Sequence, residues 1–190
     1  MGITIHYKGT LDKVEKIEDF VNEITDISKE MGWEYDIINT EPEKNKPAIN
    51  GIIIKPHEKS ESLSLFFDTE GRIQNIASLI FENIDDDGPP IASIKTQYAP
   101  LDIHIAIIKL LKYIKSKYIS DLYVFDEGDY WKSMDENILR EKMEFLASRI
   151  ELLGDVLDSH SEEFGKTKSV EQLADKIEEV LKKFGFERND

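Results

Sequence analysis

The sequence predicts an α+β fold: a mixed, largely antiparallel sheet of about seven strands with helices packed on one face, plus a C-terminal helical hairpin. Three observations carry this expectation. Short apolar/polar alternations recur as far as Phe125, each about one strand long. Two helix-period stripes interrupt them, one after Thr10 and one after Pro100. From Asp135 onward only helical periodicity remains.

The elements follow in order. Ile3 to Tyr7 alternates and reads as a first strand, broken by Gly9-Thr10. A helix follows with Val14, Ile17, Val21, Ile24, Ile27 and Met31 on one stripe. Asp12, Glu15 and Glu18 suit its positive end, and Gly32 suits its stop. Trp33 to Thr40, Ile49 to Lys55 and Ser62 to Phe67 read as strands two to four, with a Pro42-containing polar loop between the first two. Asp68-Thr69-Glu70-Gly71 is a hairpin turn in which Gly71 takes positive φ, and Arg72 to Phe81 returns as strand five. Asp85-Asp86-Asp87-Gly88 opens a turn-rich loop before strand six, Ile91 to Tyr98. Pro100 starts a central helix to about Tyr118 whose apolar residues cover most of its circumference, the mark of burial. Leu122 to Phe125 is strand seven. Two helices then carry stripes at Leu139, Leu146, Ile150, Leu153, Leu157 and at Val170, Leu173, Ile177, Val180, Phe184. Domain organisation is therefore read as an α+β sheet domain over 1–134 and a helical hairpin over 135–190.

Composition narrows the function classes. Asp+Glu number 39 against 24 Lys+Arg, a formal net charge of -15. Such a field repels phosphate backbones and anionic lipid, which argues against nucleic-acid and membrane partners and favours a protein partner with a basic surface. Cysteine is absent, so disulfides, thiolate metal sites and thiol catalysis are excluded. The N-terminal residues lack a basic start followed by an apolar run, and no apolar stretch reaches membrane-spanning length; a cytoplasmic location is expected.

Catalytic and ligand motifs are incomplete. Gly165-Lys166-Thr167 has His160 where a phosphate-binding loop needs glycine, and a helix precedes it instead of a strand. The run from Asn83 places Ile94 where a calcium loop needs glutamate. His6, His57, His104 and His160 lack helical metal-pair spacing. No cofactor and no metal are expected.

One constellation remains. If strands one, six and seven run parallel, their C-terminal ends share one rim of the sheet, where ligands of open α/β sheets collect. That rim would gather Lys8, Gly9 and Thr10, then Lys95, Gln97 and Tyr98, then Asp126, Glu127, Tyr130 and Trp131, with His104 in the first turn of the central helix. His104, Asp126 and Glu127 supply acids and bases, Lys8 and Lys95 cationic donors, and the aromatics one wall. The first functional expectation is a non-enzymatic binding or regulatory protein with an acidic interaction surface. The alternative is a small hydrolase or transferase for a small anionic substrate, with His104 and Asp126/Glu127 as acid/base groups. A homodimer through the C-terminal helices is a third expectation.

Overall fold

The computed structural model describes residues 3–42, 48–75, 91–161, 165 and 169–183. The chain forms two compact units, Met1–Met143 and Glu144–Asp190. The first holds β1 (Thr4–Lys8), a short 3-10 turn (Val14–Lys16), α1 (Ile17–Glu30), β2 (Glu34–Asn39), β3 (Asn50–Lys55), β4 (Leu63–Phe67), β5 (Ala92–Lys95), α2 (Leu101–Lys117), β6 (Tyr123–Asp126) and α3 (Tyr130–Ser133). It also holds the start of α4 (Glu136–Ser159). The second unit contains the rest of α4 and α5 (Val170–Lys183).

The α+β class stands, but the single seven-stranded sheet does not. The described residues form two three-stranded antiparallel sheets, ordered β5-β1-β6 and β2-β3-β4. Arg72 and Ile73, read as the start of a strand, make only isolated bridges to Thr10 and Phe67. The rest of that segment from residue 76, and the acidic turn at Asp85, lie outside the described residues. A side chain explains part of the separation. Tyr7 Oη donates to Ser64 O at 2.8 Å and accepts from Ser64 N at 3.0 Å. One residue on the edge of β4 is thus closed by a buried phenol instead of a neighbouring strand, and burial pushes the Tyr7 hydroxyl well above its usual range.

The parallel arrangement of β1 with β5 and β6 is also overturned. β1 is the central strand of its sheet and runs antiparallel to both, with Thr4 opposite Lys95 and Ile5 opposite Asp126. β5 and β6 therefore run parallel to each other, separated by β1 and connected through α2. Short strands that read alike by alternation carry no signal of direction, which long-range pairing sets.

Both sheets contribute to one apolar core with α1 and α2. Ile5, Tyr7, Ile52, Ile54, Leu63, Leu65, Ile94, Ile107, Ile108 and Leu111 are wholly buried in it. α1 presents its predicted stripe to the core: Val21 and Ile24 are buried and Ile17 and Ile27 pack against it, with Phe20 added, while Val14 and Met31, outside the helix, are 38% and 49% exposed. Phe20 widens the buried face, its ring meeting Phe67 and Tyr118 edge-on at 5.2 and 5.1 Å. The helix stops as predicted: Trp33 N bonds Ser28 O and Gly32 N bonds Lys29 O, with Gly32 at φ 67°. That bonding pattern needs a left-handed residue which glycine adopts without a Cβ clash. Among the described residues of the second unit Val156 and Val180 are buried, Phe145 is exposed, and Ser169 Oγ accepts the N–H of Gln172 at the start of α5.

Candidate functional site

The antiparallel pairing of β1 divides the predicted rim. Lys8, Gly9 and Thr10 lie at the opposite end of the sheet from the others. Lys8 faces Tyr123 at the start of β6, with its ammonium 5.7 Å from that ring. Thr10 N donates to Asp121 Oδ1 at 2.9 Å, and Gly9 O accepts from Ile73 N. These residues do not meet the carboxylates of β6, because the C-terminal end of β1 points the other way.

At the far end, the chains of β5 and β6 do converge. His104, in the first turn of α2, brings Nε2 within 3.2 Å of Asp126 Oδ1. Its Nδ1 stands 2.8 Å from Thr96 Oγ1, just past the end of β5. The Thr96 hydroxyl also lies 3.3 Å from Ile3 O, so its single proton serves either that carbonyl or Nδ1, and the direction of the Thr96–His104 bond follows the ring's tautomer. The Nε2 approach is oblique, a close electrostatic contact without the alignment of a full hydrogen bond. Asp126 is anchored by two further donors, Gly128 N at 2.7 Å and Trp131 N at 2.8 Å. Burial pushes its carboxyl up, but the His104 ring and these two amides outweigh burial and hold it below the usual carboxylate range.

This assembly is closed to solvent. The side chains of His104 and Asp126 are 0% and 1% exposed, and Thr96 is wholly buried. Gly128 and Leu139 form the seal: a Cβ on Gly128 would stand 2.6 Å from Leu139 Cδ1 and 3.1 Å from His104 Cε1. Asp129 and Met134, at φ 61° and 53°, turn the chain on either side of α3 and bring Trp131 N onto the carboxylate.

The remaining predicted residues surround the pair without entering it. Glu127 Oε2 accepts Thr4 N at 2.8 Å and is part-exposed beside His6. Lys95 uses its backbone, N to Glu61 Oε2 and O from Glu61 N. Gln97 keeps a buried Oε1 without a protein partner, Tyr98 is 59% exposed, and Tyr130 is buried. Trp131 lies under the Lys112 ammonium at 4.6 Å. Thr96 escaped the sequence reading although alternation carried the signal, since it shares the inward face of its strand with Ala92 and Ile94.

The open concavity lies elsewhere, along α1. A groove of about 890 Å³ is lined by Asp12, Lys13, Lys16, Asp19, Asn22, Glu23, Asp26, Ile27, Glu30, Met31, Lys117 and Tyr118. Five of these are carboxylates and three are lysines. Glu23 is the fixed point. It accepts from Lys117 Nζ at 2.6 Å and from the hydroxyls of Tyr113 and Tyr118. Burial pushes its carboxyl up, but those donors prevail and bring it down to about 2, so it is ionised under all ordinary conditions. Bonds from Ser120 hold Asp12 low in the same way. Lys16 pairs with Asp19 and Lys29 with Asp26, whereas Glu30 has no ion-pair partner among the described residues. Asp19, Glu23, Asp26 and Glu30 are spaced at helical intervals, so this face was readable in the sequence as an acidic stripe.

Comparison with protein-family models, curated proteins and solved structures found no match to this chain. The functional reading rests on its own residues. Among the described residues no cluster of His, Cys, Asp and Glu is arranged to hold a metal ion, and no helix is long and apolar enough to cross a membrane.

Proposed function

We propose that the protein is a binding or regulatory protein that engages a basic partner through the acidic face of α1. One contrast supports this reading. The groove is an open concavity of about 890 Å³ that carries persistent negative charge, while the His104–Asp126 pair is sealed from any substrate. The chain's net charge of -15 steers cationic surfaces toward it and disfavours anionic ones.

The acid/base alternative draws on the contact of His104 with Asp126, which it requires. A general base must also reach the proton it removes, within hydrogen-bond distance or through one water. Complete burial of Thr96, His104 and Asp126 denies that access, and the same bonds are what a structural clamp between β5, α2 and β6 needs. The binding reading therefore stands first.

Titration of the isotopically labelled protein with oligolysine tests it. Amide shifts are expected over Asp12 to Met31 and around Lys117, fading as salt shortens the Debye length from about 10 Å at 0.1 M. Charge reversal by Asp19→Lys with Asp26→Lys is expected to weaken binding about tenfold. Shifts scattered over the whole surface, or none, would overturn the proposal.

A further inference from the structure

The ridge formed by Ile27 and Met31 has two different sides. One is the acidic groove. On the other, the same two residues line an apolar groove of about 290 Å³ with Trp33, Ala106, Lys109, Leu110 and Tyr113. Its volume is roughly twice that of a cavity, about 150 Å³, able to take a benzene ring. Trp33 and Leu110 form a buried floor, at 7% and 6% exposure, while Met31 and Tyr113 stand open at the lips. Met31 is half-exposed at the junction, where a flexible, polarisable side chain suits a surface that remodels around a ligand. Lys109 stands on the α2 side with no ion-pair partner among the described residues, so carboxylates on one side and a cation on the other border the apolar floor.

A flexible basic chain would satisfy only the acidic side. An occupant that fills both sides needs apolar side chains on one stripe and cations along one flank. Helical spacing provides that arrangement in a short segment, with anchors at i, i+3, i+4 and i+7. We infer that the partner presents a basic amphipathic helix: large apolar residues enter the Trp33 groove, and its Lys or Arg flank faces Asp26, Glu30 and the rest of the α1 stripe. This inference rests on the binding reading above and adds the form of the partner. Buried aromatic and aliphatic anchors carry most of the affinity at such interfaces, so the apolar groove supplies strength and the acidic groove supplies orientation and capture rate.

The test uses the full chain carrying Trp131→Phe, which leaves Trp33 as its single tryptophan reporter. Three probes are titrated: oligolysine, a designed Leu/Lys helix of about 18 residues, and a scramble of that peptide with the stripe broken. The amphipathic peptide is expected to bind at least about tenfold more tightly than the scramble and to shift Trp33 emission. Ala106→Phe, which fills the groove without touching the α1 charges, is expected to remove that advantage while leaving oligolysine binding unchanged. The peptide comparison keeps the test decisive if Ala106→Phe folds poorly. Equal binding of the amphipathic peptide and its scramble would overturn the helix inference and leave the acidic reading standing. An acidic peptide with the same apolar stripe binding as tightly would also overturn it. Failure of every basic probe would overturn both.

Discussion

Two ends of the same unit use the same chemistry in opposite ways. At the β5–β6 end, His104, Asp126 and Thr96 are sequestered, and their polar groups are spent on one another and on backbone amides. Along α1, Glu23 and its neighbours are also tightly bonded, but they border an open groove. The difference teaches that residue type alone does not mark a site. A carboxylate that gathers donors beneath the surface becomes a clamp, while one that gathers them at the surface becomes a charge of fixed position that a partner can meet.

The largest effect that would sharpen this contrast is expected at Asp126. Asp126→Ala removes the acceptor of two buried amides and strands the His104 ring, so unfolding by urea should report a loss of about 3–5 kcal/mol. A variant that unfolds within about 0.5 kcal/mol of the parent would show that the pair is not a clamp. An Asp126→Asn protein that keeps its fold but loses oligolysine binding would invert the whole comparison.

Next comes the seal. Gly128→Ala forces a methyl against Leu139, His104 and Asp126. Overpacking of this kind is expected to cost about 1–3 kcal/mol, read as a lowered thermal midpoint with unchanged peptide affinity. Unchanged stability would mean that the lid is loose and the buried pair accessible, reopening the acid/base alternative.

The smallest expected effect lies on the open face. Glu23→Gln weakens the link from α1 to Lys117, Tyr113 and Tyr118, and at neutral pH should cost about 1 kcal/mol. The pH dependence is more telling. The folded carboxyl lies near 2, below an unfolded value of about 4.3. Its contribution is therefore complete above the unfolded value and is lost as pH falls from about 4.3 toward 2. Denaturation of Glu23→Gln across that window should show a shallower acid loss than the parent, with the residual slope including Asp126. Identical slopes would place the anchoring of α1 elsewhere.

Local signals in the chain were sufficient for local structure. The α1 stop at Gly32, the positive φ of Gly71, the start of α2 after Pro100 and the burial of most of its apolar residues all followed from residue type and spacing. Two readings failed for one reason. Strand direction and sheet membership depend on partners far along the chain: Thr4 with Lys95 and Glu127, Tyr7 with Ser64. On a smaller scale the predicted α1 stripe held but omitted Phe20, whose two aromatic neighbours its own helix period could not reveal.

By itself, then, the sequence determined the α+β class, the strong negative charge and the absence of thiol chemistry, since each follows from composition or from spacing within one element. Only the tertiary structure decided that β1 runs against β5 and β6, that Lys8 and Thr10 part company with His104 and Asp126, and that the buried pair is closed while the α1 groove is open. Burial and strand direction arise from contacts across the chain, and no window of neighbouring residues contains them.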